Sequence, residues 1–170
     1  MTVLCDWEIA GLCRLSRMVS PFKEELVNPA SIDVRLGHHI MIETNKSSSL
    51  EDVDITGYTK EEPYLLNGGE FVLAQTIETF KLPPNISAQF ALKSSRGREG
   101  YDHAQAGFCD PGWSGVLTLE LINARRLWPL PLYPGLKIGQ MIFFKNEIPE
   151  KHYGITGRYN GDVKVTASRG

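Results

Sequence analysis

Phe71-Val72-Leu73-Ala74-Gln75-Thr76-Ile77 and Ile86-Ser87-Ala88-Gln89-Phe90-Ala91-Leu92 are two short apolar runs separated by a break that contains Pro83-Pro84. The paired prolines cannot continue a helix, and each run is too short to be one by itself. Both therefore read as strands. The same texture repeats outward from this centre. Residues 31–36 and 40–43 precede it, and residues 116–122 and 136–144 follow it. Gly68-Gly69, Pro111-Gly112 and Pro134-Gly135 stand in the breaks. Many short strands punctuated by Gly/Pro turns predict a mainly-β sandwich or barrel. The 16 glycines and 10 prolines fit that reading. Only the start differs. Asp6 is a good N-cap, and Ile9, Leu12 and Cys13 then share one face, which predicts one short helix over residues 7–17.

The 170-residue length fits a single domain, 1–170, with no repeat or linker. The net charge of -2 argues against a nucleic-acid binder, whose affinity comes from neutralising phosphates. A small anionic ligand needs only a local basic pocket. Cys5, Cys13 and Cys109 are odd in number and fit no zinc knuckle, so they read as small hydrophobes in a reducing compartment. With no signal-peptide pattern and no membrane-length apolar stretch, the expectation is a soluble, cytoplasmic protein without membrane or nucleic-acid partners. Residues 45–54 are polar and read as an exposed loop. Residues 154–170 are poor in apolar side chains and read as a mobile C-terminal lid. Arg158, Lys164 and Arg169 would suit a flap closing over an anion.

Several chemistries lack their residues. Zinc cytidine deaminases need His-x-Glu and Pro-Cys-x-x-Cys, but His103 is followed by Ala104-Gln105, and no two cysteines are three apart. His38 and His39 are adjacent, so in a strand they face opposite ways. No Walker-type loop, Gly-x-Ser-x-Gly or Gly-x-Gly-x-x-Gly is present.

Three segments carry candidate chemistry. Lys93-Ser94-Ser95-Arg96-Gly97-Arg98-Glu99-Gly100 gathers hydroxyls, cations and glycines directly after a strand. It reads equally as a cradle for phosphate oxygens or as a solvated basic turn. Ala106-Gly107-Phe108-Cys109-Asp110-Pro111-Gly112-Trp113-Ser114-Gly115 is a turn with one carboxylate. By itself, Asp110 is adequately explained as an Asx turn-former. In the strand through Thr118-Leu119-Glu120-Leu121-Ile122-Asn123, Val116, Thr118, Glu120 and Ile122 share a face. A carboxylate amid apolar residues is unusual. Desolvation favours the protonated form of a carboxyl, the condition a proton shuttle needs. The competing reading is an edge strand with Glu120 in water.

Taken in order, these segments resemble the dCTP deaminase family, a branch of the dUTPase superfamily. The resemblance extends through Leu4-Cys5-Asp6, Ser31-Ile32-Asp33-Val34-Arg35-Leu36-Gly37, Gly69-Glu70-Phe71-Val72-Leu73-Ala74, Pro134-Gly135, Ile138-Gly139-Gln140 and Tyr159. It implies a distorted jelly-roll β fold of the dUTPase-like (β-clip) type and a homotrimer with active sites between subunits. It implies that Glu120 shuttles the proton, that Ser94 and Arg98 position water and stabilise charge, and that Asp110 lies near the deoxyribose. Lys93, Ser95 and Arg96 would contact phosphates, Ala106 would belong to the substrate pocket, and backbone groups at Thr118 and Leu119 would read the base. Tyr153, Arg158 and Tyr159 match phosphate or lid positions. Mg2+ would arrive with the triphosphate, with no zinc and no protein metal site.

The implied activity is deamination of dCTP at cytosine C4. Ala106-Gly107-Phe108, together with both Asp110 and Glu120, resembles the bifunctional members that continue to dUMP and pyrophosphate. The alternatives are a deaminase that stops at dUTP, a plain dUTPase, and a non-catalytic regulator that binds dCTP, dUTP or dTTP. The chain departs from the family pattern at Glu99, at Asn160-Gly161-Asp162 in place of a glutamine-containing lid, and in a stretch around Tyr101 that is one residue shorter.

Overall fold

In the computed structural model, residues 2–104 and 106–170 are described. The helices are α1 (Asp6–Ser16), α2 (Ser94–Glu99) and α3 (Tyr153–Thr156). The first eight strands are β1 (Thr2–Val3), β2 (Val19–Ser20), β3 (Val27–Asn28), β4 (Ser31–Thr44), β5 (Ser47–Asp54), β6 (Tyr64–Leu66), β7 (Phe71–Lys81) and β8 (Ile86–Leu92). They are followed by β9 (Tyr101–His103), β10 (Phe108–Cys109), β11 (Ser114–Asn123), β12 (Leu130–Leu132) and β13 (Lys137–Lys145). The mainly-β expectation holds.

One sheet runs β10-β8-β13-β4-β7-β11-β9, with β1, β2, β3 and β5 added at its margins; β6 and β12 form a separate pair. The runs at 31–36 and 40–43 are one strand. The first half of β4 pairs with β13 and the second half with β7 and β5. The changeover falls at a register break between Leu36 and Ile40. There the Gln75 side chain comes within 2.8 Å of where a Cβ would stand on Gly37, so only glycine fits. The same break lets the His38 and His39 rings lie 4.6 Å apart instead of on strictly opposite faces. Residues 45–54 differ from expectation: β5 pairs with β4 as a hairpin. Its polar residues are tolerated because the strand lies on a solvated margin, where packing does not select side chains.

At the start, Cys5 and not Asp6 is the N-cap, and Glu8 accepts the Cys5 N–H at 3.1 Å. Reciprocal capping by an N3 glutamate moves the boundary back one residue. Ile9, Ala10 and Cys13 are buried.

The core fills the space inside the curled sheet. Leu117, Leu119 and Leu121 of β11 point into it, joined by Leu36, Ile40, Phe80, Met141 and Phe143. Fully burying such a side chain stabilises the fold by about 1.5–3 kcal/mol. One charge pair is buried with them. Glu78 of β7 has no exposure; its Oε1 takes the Arg35 Nε–H at 2.7 Å, and its Oε2 takes the Arg35 backbone N–H at 2.8 Å. The pair sits just beyond the β4–β7 ladder, where Leu36 meets Thr76. Removing one partner strands the other in a dry site. Arg35→Met is therefore expected to cost about 3–5 kcal/mol of stability in urea unfolding. A loss below about 1 kcal/mol would mean that water reaches Glu78.

Candidate active site

β11 sets the geometry. Its register against β7 breaks between Val116 and Thr118, a β-bulge that leaves Leu117 without its ladder partner. The Leu117 N–H instead donates to the buried Thr76 Oγ1 at 3.1 Å. Beyond the bulge the alternation is clean: Leu119 and Leu121 are buried, while Thr118, Glu120 and Ile122 are half-buried on the opposite face.

Glu120 opens into a cavity of about 570 Å³ whose lining includes Ala106, Asp110, Thr118, Tyr153 and Tyr159. Six of the sequence-predicted site residues thus share one chamber. Leu119 does not line it, because its side chain points into the core. β9 pairs with β11 only at Leu121, Ile122 and Asn123, so the Leu119 backbone lies beyond that pairing.

Cys109 also lines the cavity. Burial, reinforced by the neighbouring Asp110 charge, pushes its thiol up to about 12. At neutral pH it carries almost no thiolate and is not a nucleophile. Native protein at pH 8 is expected to leave Cys109 unmodified by iodoacetamide while Cys5, which is partly exposed, reacts. Rapid labelling of Cys109, read by peptide mass, would refute this.

The chain's own C-terminus roofs the chamber. Gly161 donates to Ser114 O at 2.7 Å, Val116 donates to Asp162 O at 2.9 Å, and Asn160 Oδ1 accepts the Ser114 N–H at 2.9 Å. Gly115, at φ 144, leaves room for this approach: a Cβ there would lie 2.9 Å from Asp162 O. Val165 is buried, and its N–H donates to the buried Gln75 Oε1 at 2.8 Å. Composition predicts a loose tail, but the contacts are made largely by backbone groups, which composition does not reveal. Asp162 lines the cavity, yet its charge is met by Arg169 at 2.7 Å. Arg169 also stacks over Tyr159, and its backbone N–H, donated to the Tyr159 hydroxyl, holds that phenol below its ordinary value. Arg158 is exposed, and its carbonyl accepts from Arg169 at 2.6 Å.

The basic segment lies elsewhere. Lys93, Ser94, Ser95, Arg96 and Arg98 do not line this cavity. Lys93 Nζ is 2.6 Å from Asp33 Oδ1, and Arg96 Nη1 is 2.5 Å from Glu99 Oε2, so both cations have intramolecular partners. Arg98 has no ion pair among the described residues.

One neighbour of Glu120 was not expected from the sequence. His103 Nε2 lies 3.2 Å from Glu120 Oε2, but off a hydrogen-bonding line, so both buried atoms lack a partner. The His103 ring packs on Phe90 at 4.7 Å. It faces a second depression lined by Gln89, Phe90, Ala91, Leu92 and Asp102. Glu120 and His103 thus stand where the two hollows meet. The available signal was modest: Tyr101 and His103 alternate inward around Asp102 in a short strand. Among the described residues, no three His, Cys, Asp or Glu side chains converge as metal ligands, and no helix is long and apolar enough to cross a membrane.

The chain resembles known proteins along most of its length. Residues 3–146 match the family described as dCTP deaminase-like. The "dCTP deaminase, dUMP-forming" of Streptomyces coelicolor is 43% identical, with 89% of this chain and 85% of that protein aligned. The protein of the same name from Mycobacterium marinum is 40% identical over 98% of this chain and 95% of its own length. Among solved structures, the 2'-deoxycytidine 5'-triphosphate deaminase from Agrobacterium tumefaciens shares the fold, with a TM-score of 0.67 at 24% identity. That alignment covers 83% of this chain and 47% of the other. Sequence, fold and site lead to one assignment: the chain belongs to the dCTP deaminase-like family.

Proposed function

We propose that this protein hydrolyses dCTP at cytosine C4 and carries the product on to dUMP and pyrophosphate. The observation that carries the reading is that Glu120 and Asp110 line one cavity. Relatives aligned over most of the chain and named dUMP-forming dCTP deaminases support it.

In the first step, Glu120 takes a proton from water as the oxygen attacks C4. It passes that proton to N3, then carries the remaining proton from the new C4 hydroxyl to the amino group, which leaves as ammonia and gives dUTP. Ser94 and Arg98 supply dipole and charge for the tetrahedral intermediate. In the second step, Asp110 orients a water for attack at the α-phosphorus, and pyrophosphate leaves. Mg2+ would neutralise the triphosphate, held by phosphate oxygens and water; the scattered carboxylates here suit that mode better than a protein cage. Ser94 and Arg98 lie outside the Glu120 cavity, so a neighbouring copy supplies them. This supports a homotrimer with sites between subunits.

The test is product analysis with dCTP and Mg2+, with dUTP in parallel. dUMP and pyrophosphate from dCTP are expected. dUTP with ammonia as the final products would remove the second step, and turnover of dUTP alone would remove the first. Nucleotide binding without any product would leave a regulator.

A further inference from the structure

α2 carries Ser94 and Arg98, yet none of its residues is buried. A helix with no apolar anchor takes its position from its ends. At the far end, the Gly100 carbonyl accepts from Ala124 at 2.9 Å. At the near end, Lys93 caps the helix: its N–H donates to Ile138 O at 3.1 Å, and its carbonyl accepts from Gly97 at 3.0 Å. The Lys93 side chain then reaches Asp33 at 2.6 Å.

Asp33 is an unusual place for a surface helix to be tied. It lies on β4, only 4% exposed. β13 runs between β4 and β8, with Gln140 opposite both Asp33 and Ala91, so the ion pair spans a whole strand. Asn28 Nδ2 donates to the same Asp33 oxygen at 2.9 Å, and Lys137 Nζ stands 3.4 Å from the other. Burial pushes the Asp33 carboxyl up, but Lys93, Asn28 and Lys137 outweigh it and hold the group below its ordinary range. Drawing Lys93 away to a phosphate would strip a buried carboxylate of its shortest partner, which is costly. The pair therefore acts as a strut, and Lys93 is not free to bind a ligand.

We propose that Asp33 is a positioning residue, acting through Lys93 to set where α2 holds Ser94 and Arg98. The proposal rests on the deamination reading for its kinetic consequence, but not for its structural one. A displacement of about 1 Å in such groups can cost a hundredfold in rate.

The experiment compares Asp33→Asn, Lys93→Met and the double variant with dCTP and Mg2+. Each single change is expected to lower kcat by about 10- to 100-fold with KM little changed. The double variant should be no worse than the worse single, because both changes cut one link. A raised KM at unchanged kcat for Lys93→Met would instead make Lys93 a phosphate contact. Multiplicative losses in the double variant would also overturn the proposal. Amide hydrogen exchange provides a readout independent of turnover. Asp33→Asn should speed exchange across residues 95–99 while β11 keeps its protection, and unchanged exchange at α2 would refute the strut. If the unaltered protein does not deaminate dCTP, the functional reading falls, and the exchange result alone decides whether Asp33 holds α2. If Asp33→Asn does not fold, Lys93→Met carries both readouts, since its side chain is partly exposed.

Discussion

Glu120→Gln is expected to lower the rate of dCTP deamination by about 10²–10⁴-fold, the usual worth of a positioned acid–base group. Glutamine keeps the volume of glutamate and its fit between Thr118 and Ile122 on the half-buried face of β11. It cannot take up and return a proton. The chamber is otherwise unchanged, so nucleotide affinity should survive. Ammonia release gives the rate, and titration calorimetry gives the binding. A variant that deaminates at the unaltered rate would remove Glu120 from the mechanism. One that neither binds nor turns over would point to a collapsed chamber.

Mixing two inactive variants should restore activity. Ser94→Ala and Glu120→Gln each damage every site when alone. The Glu120 cavity excludes Ser94 and Arg98, so the proposed mechanism requires a site that draws on two copies of the chain. In a randomly mixed head-to-tail ring, roughly a quarter of the interfaces receive an intact Ser94 from one copy and an intact Glu120 from the next. Co-refolding the two variants in equal amounts should therefore recover roughly that share of the unaltered rate. No recovery from well-folded mixtures would place both residues in a single-chain site or deny one of them a role.

The strands around Pro83-Pro84 were legible because their signal is local: short apolar runs bounded by Gly/Pro turn-formers. β5 was misread because a solvated hairpin strand has no apolar face to announce it. The site divides in the same way. Glu120 stands out as a carboxylate in an apolar strand, and Asp110 as part of a turn motif. His103 at 3.2 Å from Glu120 did not, because their approach depends on β9 lying against β11, a pairing fixed by the whole sheet. Lys93 and Arg96 looked like free cations because Asp33 is distant in sequence, and because Glu99 reads as a separate acid. The tail's contacts with the chamber were hidden for a related reason: backbone hydrogen bonds to Ser114 and Val116 leave no trace in composition.

β4 belongs to both halves of the sheet, bonded to β13 over its first residues and to β7 over its later ones. Neither half can open at equilibrium without drawing this strand out of the other. The molecule therefore has no independent subunit of stability: it should melt in one cooperative step, without a populated half-folded state. Folding must wait for pairings between segments far apart in the chain, which places it among slow-folding topologies. A lesion at the changeover near Gly37 would consequently deplete the protein in the cell as effectively as losing its chemistry.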